Sequence, residues 1–103
     1  MAHLSGEIDR SNAAEFGDRV ALAVDDQAGG LVVDLSELAF LDSTGIRMLF
    51  ELAAELKRRQ QALRVVVPKG AHLGELLETV GLKQAAATDH TVGEAVEALT
   101  RTA

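Results

Sequence analysis

The sequence of 103 residues has no cysteine, no tryptophan and no tyrosine, and only three phenylalanines. Without cysteine the chain can form no disulfide, no thiol nucleophile and no cysteine-ligated metal site. Because aromatic side chains are so few, leucine, valine, isoleucine and alanine have to fill the core. No apolar stretch approaches the roughly 18–20 residues that span a bilayer, and residues 1–10 are too charged for a signal peptide. We therefore expect a soluble protein without direct membrane insertion.

Basic residues are also in short supply. Lysine and arginine together number 10 against 16 aspartates and glutamates, which gives a net charge of −6. Binding to the phosphate backbone of a nucleic acid requires clustered basic side chains, so we expect no nucleic-acid partner. The three histidines, His3, His72 and His90, lack the spacing of metal ligands. We expect neither a metal nor a cofactor.

The length and the hydrophobic content of 48% are ordinary for one globular domain, which we place over residues 1–103. Predicted strands cover residues 3–8, 31–35 and 62–67, with a connector at 36–41 and a weak segment, a short strand or irregular, at 84–87. Predicted helices cover residues 13–26, a long stretch from about 43, residues 73–80 up to Gly81 as the C′ residue, and a terminal segment from 91. This alternation predicts an α/β fold with a largely parallel or mixed sheet.

Two of the helix starts carry the spacing of a capping box. In this arrangement the N-cap residue and the residue three positions later each satisfy a backbone N–H group of the other. The pairs are Asn12 with Glu15 and Thr91 with Glu94. We expect both to form.

The chain is organised around Asp42-Ser43-Thr44-Gly45, where an apolar run stops and a long helical pattern starts. Aspartate and serine are favourable N-cap residues, because their side-chain oxygens accept hydrogen bonds from the first backbone N–H groups of a helix. The helix dipole makes the same position favourable for negative charge. The two hydroxyls therefore lie where a phosphate can be placed or bound, although a simple capped helix start has the same appearance.

The helix that follows has a single apolar stripe, which predicts its buried face. The stripe comprises Ile46, Leu49, Leu52, Ala53 and Leu56. Met48 and Phe50 lie about 100° to either side of its centre, given the helical period. We expect both to be boundary residues that contact either the edge of the core or a partner.

Known catalytic patterns are missing from the sequence. It has no phosphate-binding glycine loop, no dinucleotide fingerprint and no nucleophile elbow. The motif at 42–45 has two residues between Asp42 and Gly45, whereas an aspartic-protease triplet has one. Neither Ser43 nor Thr44 has a neighbouring histidine or lysine in sequence to activate its hydroxyl. We therefore expect a protein that is not an enzyme, and nucleotide hydrolysis by Asp42 and Thr44 is the catalytic alternative.

Residues 31–46, Leu-Val-Val-Asp-Leu-Ser-Glu-Leu-Ala-Phe-Leu-Asp-Ser-Thr-Gly-Ile, resemble the STAS domain of bacterial anti-sigma factor antagonists. The similarity extends back to Gly6-Glu7-Ile8-Asp9, before the first helix, and forward through residues 63–67 and 77–82. Family members usually carry one more strand before this point, so we expect either that this protein lacks the strand or that the sequence is shortened at its start. Absence of the strand would leave a sheet edge open for pairing with another chain, so we expect a monomer or a weak dimer.

The resemblance implies a cytoplasmic phosphorylation switch. In the family, the unphosphorylated antagonist binds an anti-sigma factor of the Ser/Thr kinase type and so releases a sigma factor. The kinase phosphorylates the hydroxyl residue just before the motif glycine, and a phosphatase reverses the step. That residue is Thr44 here, with Ser43 as the alternative. The partner-binding residues implied are Asp9, Asp42, Ser43, Thr44, Gly45, Arg47, Met48 and Phe50.

A second role is open to a domain of this kind. It could serve as a structural STAS subunit of a transport complex or a stress-signalling scaffold, without a phosphorylation cycle. Arg47, Met48 and Phe50 would form a partner surface in either role.

Overall fold

The computed structural model describes residues 2–22 and 29–102, which form four strands and four helices in alternation. In chain order they are β1 (Ala2–Ile8), α1 (Ala13–Leu22), β2 (Gly30–Leu41), α2 (Ser43–Arg58), β3 (Ala62–Val66), α3 (His72–Thr79), β4 (Ala87–Asp89) and α4 (Val92–Thr102), with a 3-10 turn at Leu82–Gln84. The predicted α/β alternation is confirmed. The predicted end of the first helix at residue 26 lies outside the described residues.

The described strands form one sheet in the order β1-β2-β3-β4, and every neighbouring pair is parallel. Parallel neighbours need crossover connections, which the intervening helices provide. Side chains of successive β2 residues point to opposite faces of this sheet. Leu31, Val33 and Leu35 pack in the main core with α1, α2 and α3, whereas Val32 packs with Ala95 of α4. Three helices therefore cover one face of the sheet, and α4 covers the other.

The predicted connector at 36–41 is wrong, because β2 continues without a break to Leu41. The first half of β2 pairs with both β1 and β3, but the pairing with β3 ends at Asp34, opposite Val66. Its second half is held by β1, up to the pair Ile8 and Leu41, and two register irregularities interrupt that ladder. Side chains in this half are largely exposed, and Phe40 is 51% exposed. A strand with one partner does not show the continuous apolar run of a central parallel strand.

One of the two predicted capping boxes forms. The N–H of Thr91 donates to Glu94 Oε1 at 3.1 Å, and the N–H of Glu94 donates to Thr91 Oγ1 at 3.1 Å. The box predicted at Asn12 is wrong. Asn12 Oδ1 accepts from the N–H of Asp9 at 2.9 Å, and its Nδ2 donates to the carbonyl of Glu7 at 3.0 Å. The Asn12 side chain thus closes the turn between β1 and α1.

The end of α3 and the segment that follows it are defined by the structure. Gly81 follows α3 with φ of +80°, the left-handed backbone predicted for a C′ glycine. The segment at 84–87 divides into the end of the 3-10 turn and the start of β4. Among the described residues, no helix is both long enough and apolar enough to cross a membrane.

Candidate partner-binding site

The motif at 42–45 forms the junction between β2 and α2. Asp42 is the N-cap residue of α2 and has an extended backbone, with φ of −93° and ψ of −175°. Its Oδ1 accepts hydrogen bonds from the N–H of Thr44 at 2.9 Å and from the N–H of Gly45 at 3.0 Å. The first turn of α2 therefore already has a carboxylate at the position where its backbone N–H groups would hold an anion.

The end of β1 lies beside this motif. The N–H of Asp42 donates to the carbonyl of Ile8 at 3.1 Å, so Asp9 begins its loop directly next to the junction. The Asp9 carboxylate accepts from the hydroxyl and the N–H of Ser11, and these hydrogen bonds lower the pKa of Asp9 below its ordinary value. Asp9 is therefore ionised at neutral pH, and its negative charge adds to that of the Asp42 carboxylate.

Gly45 is buried beneath the motif. A Cβ at this position would overlap Leu41 Cδ1 and would lie 3.0 Å from Ile8 Cγ2. Glycine therefore lets the first turn of α2 approach the ends of β1 and β2 closely. Gly45 was predicted as a site residue, but it is buried: it permits close packing at the junction and is not accessible to a partner.

The two flanks of the apolar stripe on α2 differ. Met48 is only 6% exposed and belongs to the main core, whereas Phe50 is half-buried at its edge. The boundary prediction holds for Phe50 and is wrong for Met48. The reason is that α1 packs over the Met48 flank, where Gly17 leaves room: a Cβ on Gly17 would lie 2.9 Å from Met48 Cγ.

A groove of 250 Å³ runs between the two helices, and we call it the α1/α2 groove. It brings together three predicted site residues, Thr44, Arg47 and Met48. Ser43 is exposed outside it, and neither Asp9 nor Phe50 lines it. The remaining lining residues were not predicted: Ala13, Ala14, Gly17, Asp18, Glu51, Leu52 and Glu55. The small residues of α1 were the available signal, because alanine and glycine on one helix face permit close helix packing.

The described residues offer little to catalysis or to a metal. No group of three or more histidine, aspartate or glutamate side chains in this part of the chain is arranged to hold a metal ion. Within the described residues, neither the Ser43 nor the Thr44 hydroxyl forms a hydrogen bond with a basic side chain; the side-chain hydrogen bonds of this junction are those that Asp42 Oδ1 accepts from the N–H groups of Thr44 and Gly45. The arrangement instead gives a capped helix start beside a small groove with charged edges.

Comparison with known proteins shows which family and which solved structures this architecture matches. The family model described as "Mlab, STAS domain" matches residues 1–94. No curated protein matches the sequence significantly. Among solved structures, an anti-sigma factor antagonist from Mycobacterium paratuberculosis is 28% identical with a TM-score of 0.81, and the match covers 95% of this chain and 82% of that one.

Two further structures share the fold. The anti-sigma factor antagonist SpoIIAA in its unphosphorylated form is 15% identical, with a TM-score of 0.69 and coverage of 98% of this chain and 87% of that chain. The STAS domain of a SulP transporter from Vibrio cholerae is 22% identical, with a TM-score of 0.71 and coverage of 98% and 80%. At these identities the likeness concerns the fold alone. Since the family model spans nearly the whole sequence, the chain belongs to the STAS domain family.

Proposed function

We propose that this protein is a cytoplasmic anti-sigma factor antagonist whose STAS domain spans residues 1–103. In its unphosphorylated form it binds an anti-sigma factor of the Ser/Thr kinase type and frees a sigma factor. Phosphorylation of Thr44 ends the complex, and a phosphatase restores it. The observation that carries the proposal is the position of Thr44, which precedes the motif glycine and also lines the α1/α2 groove.

The local electrostatics support a switch at Thr44. A phosphate adds about −1.5 to −2 charges at neutral pH. Asp42 already accepts from the N–H groups of Thr44 and Gly45, so the phosphate would find these donors engaged and a like charge beside them. Arg47, one turn further along the same groove, is the nearest cation in sequence and is exposed. It can pair with the phosphate at the surface, where ion pairs contribute little.

Phosphorylation would therefore weaken partner binding through its effect on the interface. A partner that covers Thr44 would have to remove a dianion from water without a matching set of donors. A loss of about 3 kcal/mol weakens binding more than a hundredfold, which is enough for a switch. Ser43, the alternative acceptor, is exposed and lies outside the groove, so a phosphate there would remain in water at the edge of such an interface.

The test combines mass spectrometry with binding. The purified protein is incubated with ATP and each Ser/Thr kinase-type anti-sigma factor of the same cell, and an adduct of about 80 Da, one phosphoryl group, is mapped by fragmentation. We expect one phosphate on Thr44, its loss in Thr44→Ala and its retention in Ser43→Ala. The modified protein should bind the anti-sigma factor at least a hundredfold more weakly. Modification of Ser43 alone, or equal binding by both forms, would contradict the proposal.

A structural STAS subunit is the second candidate, and the likeness to the SulP transporter STAS domain favours it. Such a subunit would need no acceptor hydroxyl. In that case Thr44→Ala would assemble normally, while no kinase would modify the wild type and the domain would co-purify with a transport or scaffold complex. A kinase-dependent change in binding separates the two roles.

A further inference from the structure

We infer that the α1/α2 groove binds a segment of the protein partner in which an aliphatic side chain is flanked by lysine or arginine. The inference deepens the proposed function and rests on it in one respect, namely that the surface around Thr44 binds a protein. It adds the chemistry of the contacting segment. The floor of the groove, its size and the charges on its rim each contribute to the argument.

The floor accepts an apolar side chain. The most buried lining residues, Ala13, Met48 and Leu52, have apolar side chains without a nitrogen or oxygen atom. The volume of 250 Å³ lies below the roughly 300–1,000 Å³ typical of small-molecule sites. A single leucine- or methionine-sized anchor fits this space better than a metabolite does. Burial of such an anchor is the usual centre of a protein interface.

The charged residues on the rim of the groove determine which charges are favourable in the partner segment. Asp18 of α1 and Glu51 of α2 are exposed on opposite sides of the groove and form no ion pair within the described part of the chain. Glu55 also lines the groove, but Arg58 and Arg59 pair with its carboxylate, so the unpaired negative charge of the rim comes from Asp18 and Glu51. Arg47 is the single base among the lining residues. With a net charge of −6 on the whole chain, basic flanks are attracted and acidic flanks are repelled.

A basic segment is compatible with release on phosphorylation. The new negative charge attracts the flanking bases, but exposed ion pairs contribute little. Thr44 also lines the groove, so a partner that fills the groove covers the phosphate and has to desolvate a dianion. The second effect is the larger one. Phosphorylation therefore weakens binding even of a basic partner.

The test uses two synthetic helical peptides of equal length. Each has one central leucine, flanked by arginines in one peptide and by glutamates in the other. The ¹⁵N-labelled full chain is titrated with each peptide at low salt, and amide shifts are followed. We expect the basic peptide to shift amides of α1 and α2 around the groove and to bind several-fold more weakly at 0.3 M salt, where the Debye length is shorter. The acidic peptide should produce no saturable shift.

Matched variants locate the contact. Ala14 is exposed and lines the groove, so Ala14→Leu fills the groove without entering the core, and Glu51→Lys reverses one rim charge. We expect each substitution to weaken binding of the basic peptide by about fivefold or more. The controls Ala85→Leu and Glu78→Lys make the same changes at exposed positions elsewhere and should leave binding unchanged. Equal losses in the control variants, shifts spread over α3 and α4, or equal binding of both peptides would overturn the inference.

These experiments use no kinase and no ATP, so their outcome is separable from that of the proposed function. Groove binding without phosphorylation of Thr44 would leave the inference standing and remove the switch. Phosphorylation of Thr44 with no selectivity for the basic peptide would keep the switch and remove the inferred partner chemistry.

Discussion

At the scale of single residues, Asp42 connects the three elements that build the site. Its backbone N–H bonds to the end of β1, its side chain caps α2, and its own position ends β2. The sequence predicted the cap, because aspartate before a helical pattern is a local signal. It did not predict the bond to Ile8, since that contact joins residues far apart in the chain. Asp42 is therefore both a structural residue and part of the charge that a phosphate on Thr44 would meet.

Replacement of this carboxylate separates its two roles. Asp42→Ala removes both cap hydrogen bonds, and we expect the free energy of unfolding to fall by about 0.5–2 kcal/mol. Asp42→Asn keeps an oxygen that can cap the helix, so its stability should stay close to that of the wild type while the negative charge disappears. Urea unfolding followed by circular dichroism measures both, with Ser43→Ala as the neighbouring control. Equal losses in Asn and Ala variants would show that charge, and not capping, stabilises the turn.

At the scale of elements, local patterns other than the box at Asn12 predicted well, and partner-dependent features did not. The apolar stripe of α2 and the capping box at Thr91 each depend on residues three or four positions apart, and both are observed. The second half of β2 depends on pairing with β1, so residues 36–41 carry no strand pattern of their own. Burial of Met48 likewise depends on packing against α1, and this packing cannot be predicted from the sequence of α2 alone. For the same reason the motif residues of the site were predicted and the α1 wall of the groove was not.

The end of α2 shows a local strain that can be relieved. Gln60 has φ of +60°, the left-handed conformation that side chains disfavour, because the N–H of Gln61 donates to the carbonyl of Leu56 at 2.8 Å in a helix-terminating turn. Glycine adopts this backbone without penalty. We expect Gln60→Gly to raise the free energy of unfolding by about 0.5–1 kcal/mol, net of the greater freedom of glycine in the unfolded chain. Gln60→Ala is the control for loss of the side chain and should give no such gain in urea unfolding. A destabilised Gln60→Gly would show that the Gln60 side chain itself holds the turn.

At the scale of the whole molecule, the site and the bulk of the core are separate. Thr44 lies at the start of α2, and the hydrogen bonds that cap this helix come from Asp42 and not from the Thr44 hydroxyl. The main core below α2 is made of buried leucines and valines, and α4 packs on the opposite face of the sheet. A phosphate on the Thr44 hydroxyl therefore replaces no structural hydrogen bond of that hydroxyl and displaces no buried neighbour on that far face. In the described part of the chain, the hydrogen bonds of the motif join it to β1 and to the first turn of α2, and not to β3, β4 or α4.

We therefore expect phosphorylation at Thr44 to change the interface and to leave the fold intact. In ¹⁵N spectra, amide shifts should be confined to the motif, the turn after β1 and the helices on either side of the groove. The free energy of unfolding should change by no more than about 1 kcal/mol, the range of exposed charge interactions. Hydrogen exchange in β3 and β4 provides the control, because these strands belong to the part of the sheet away from α1. Faster exchange there, or spectral change throughout α4, would mean that the phosphate acts by loosening the domain, and loss of partner binding would then have a different cause.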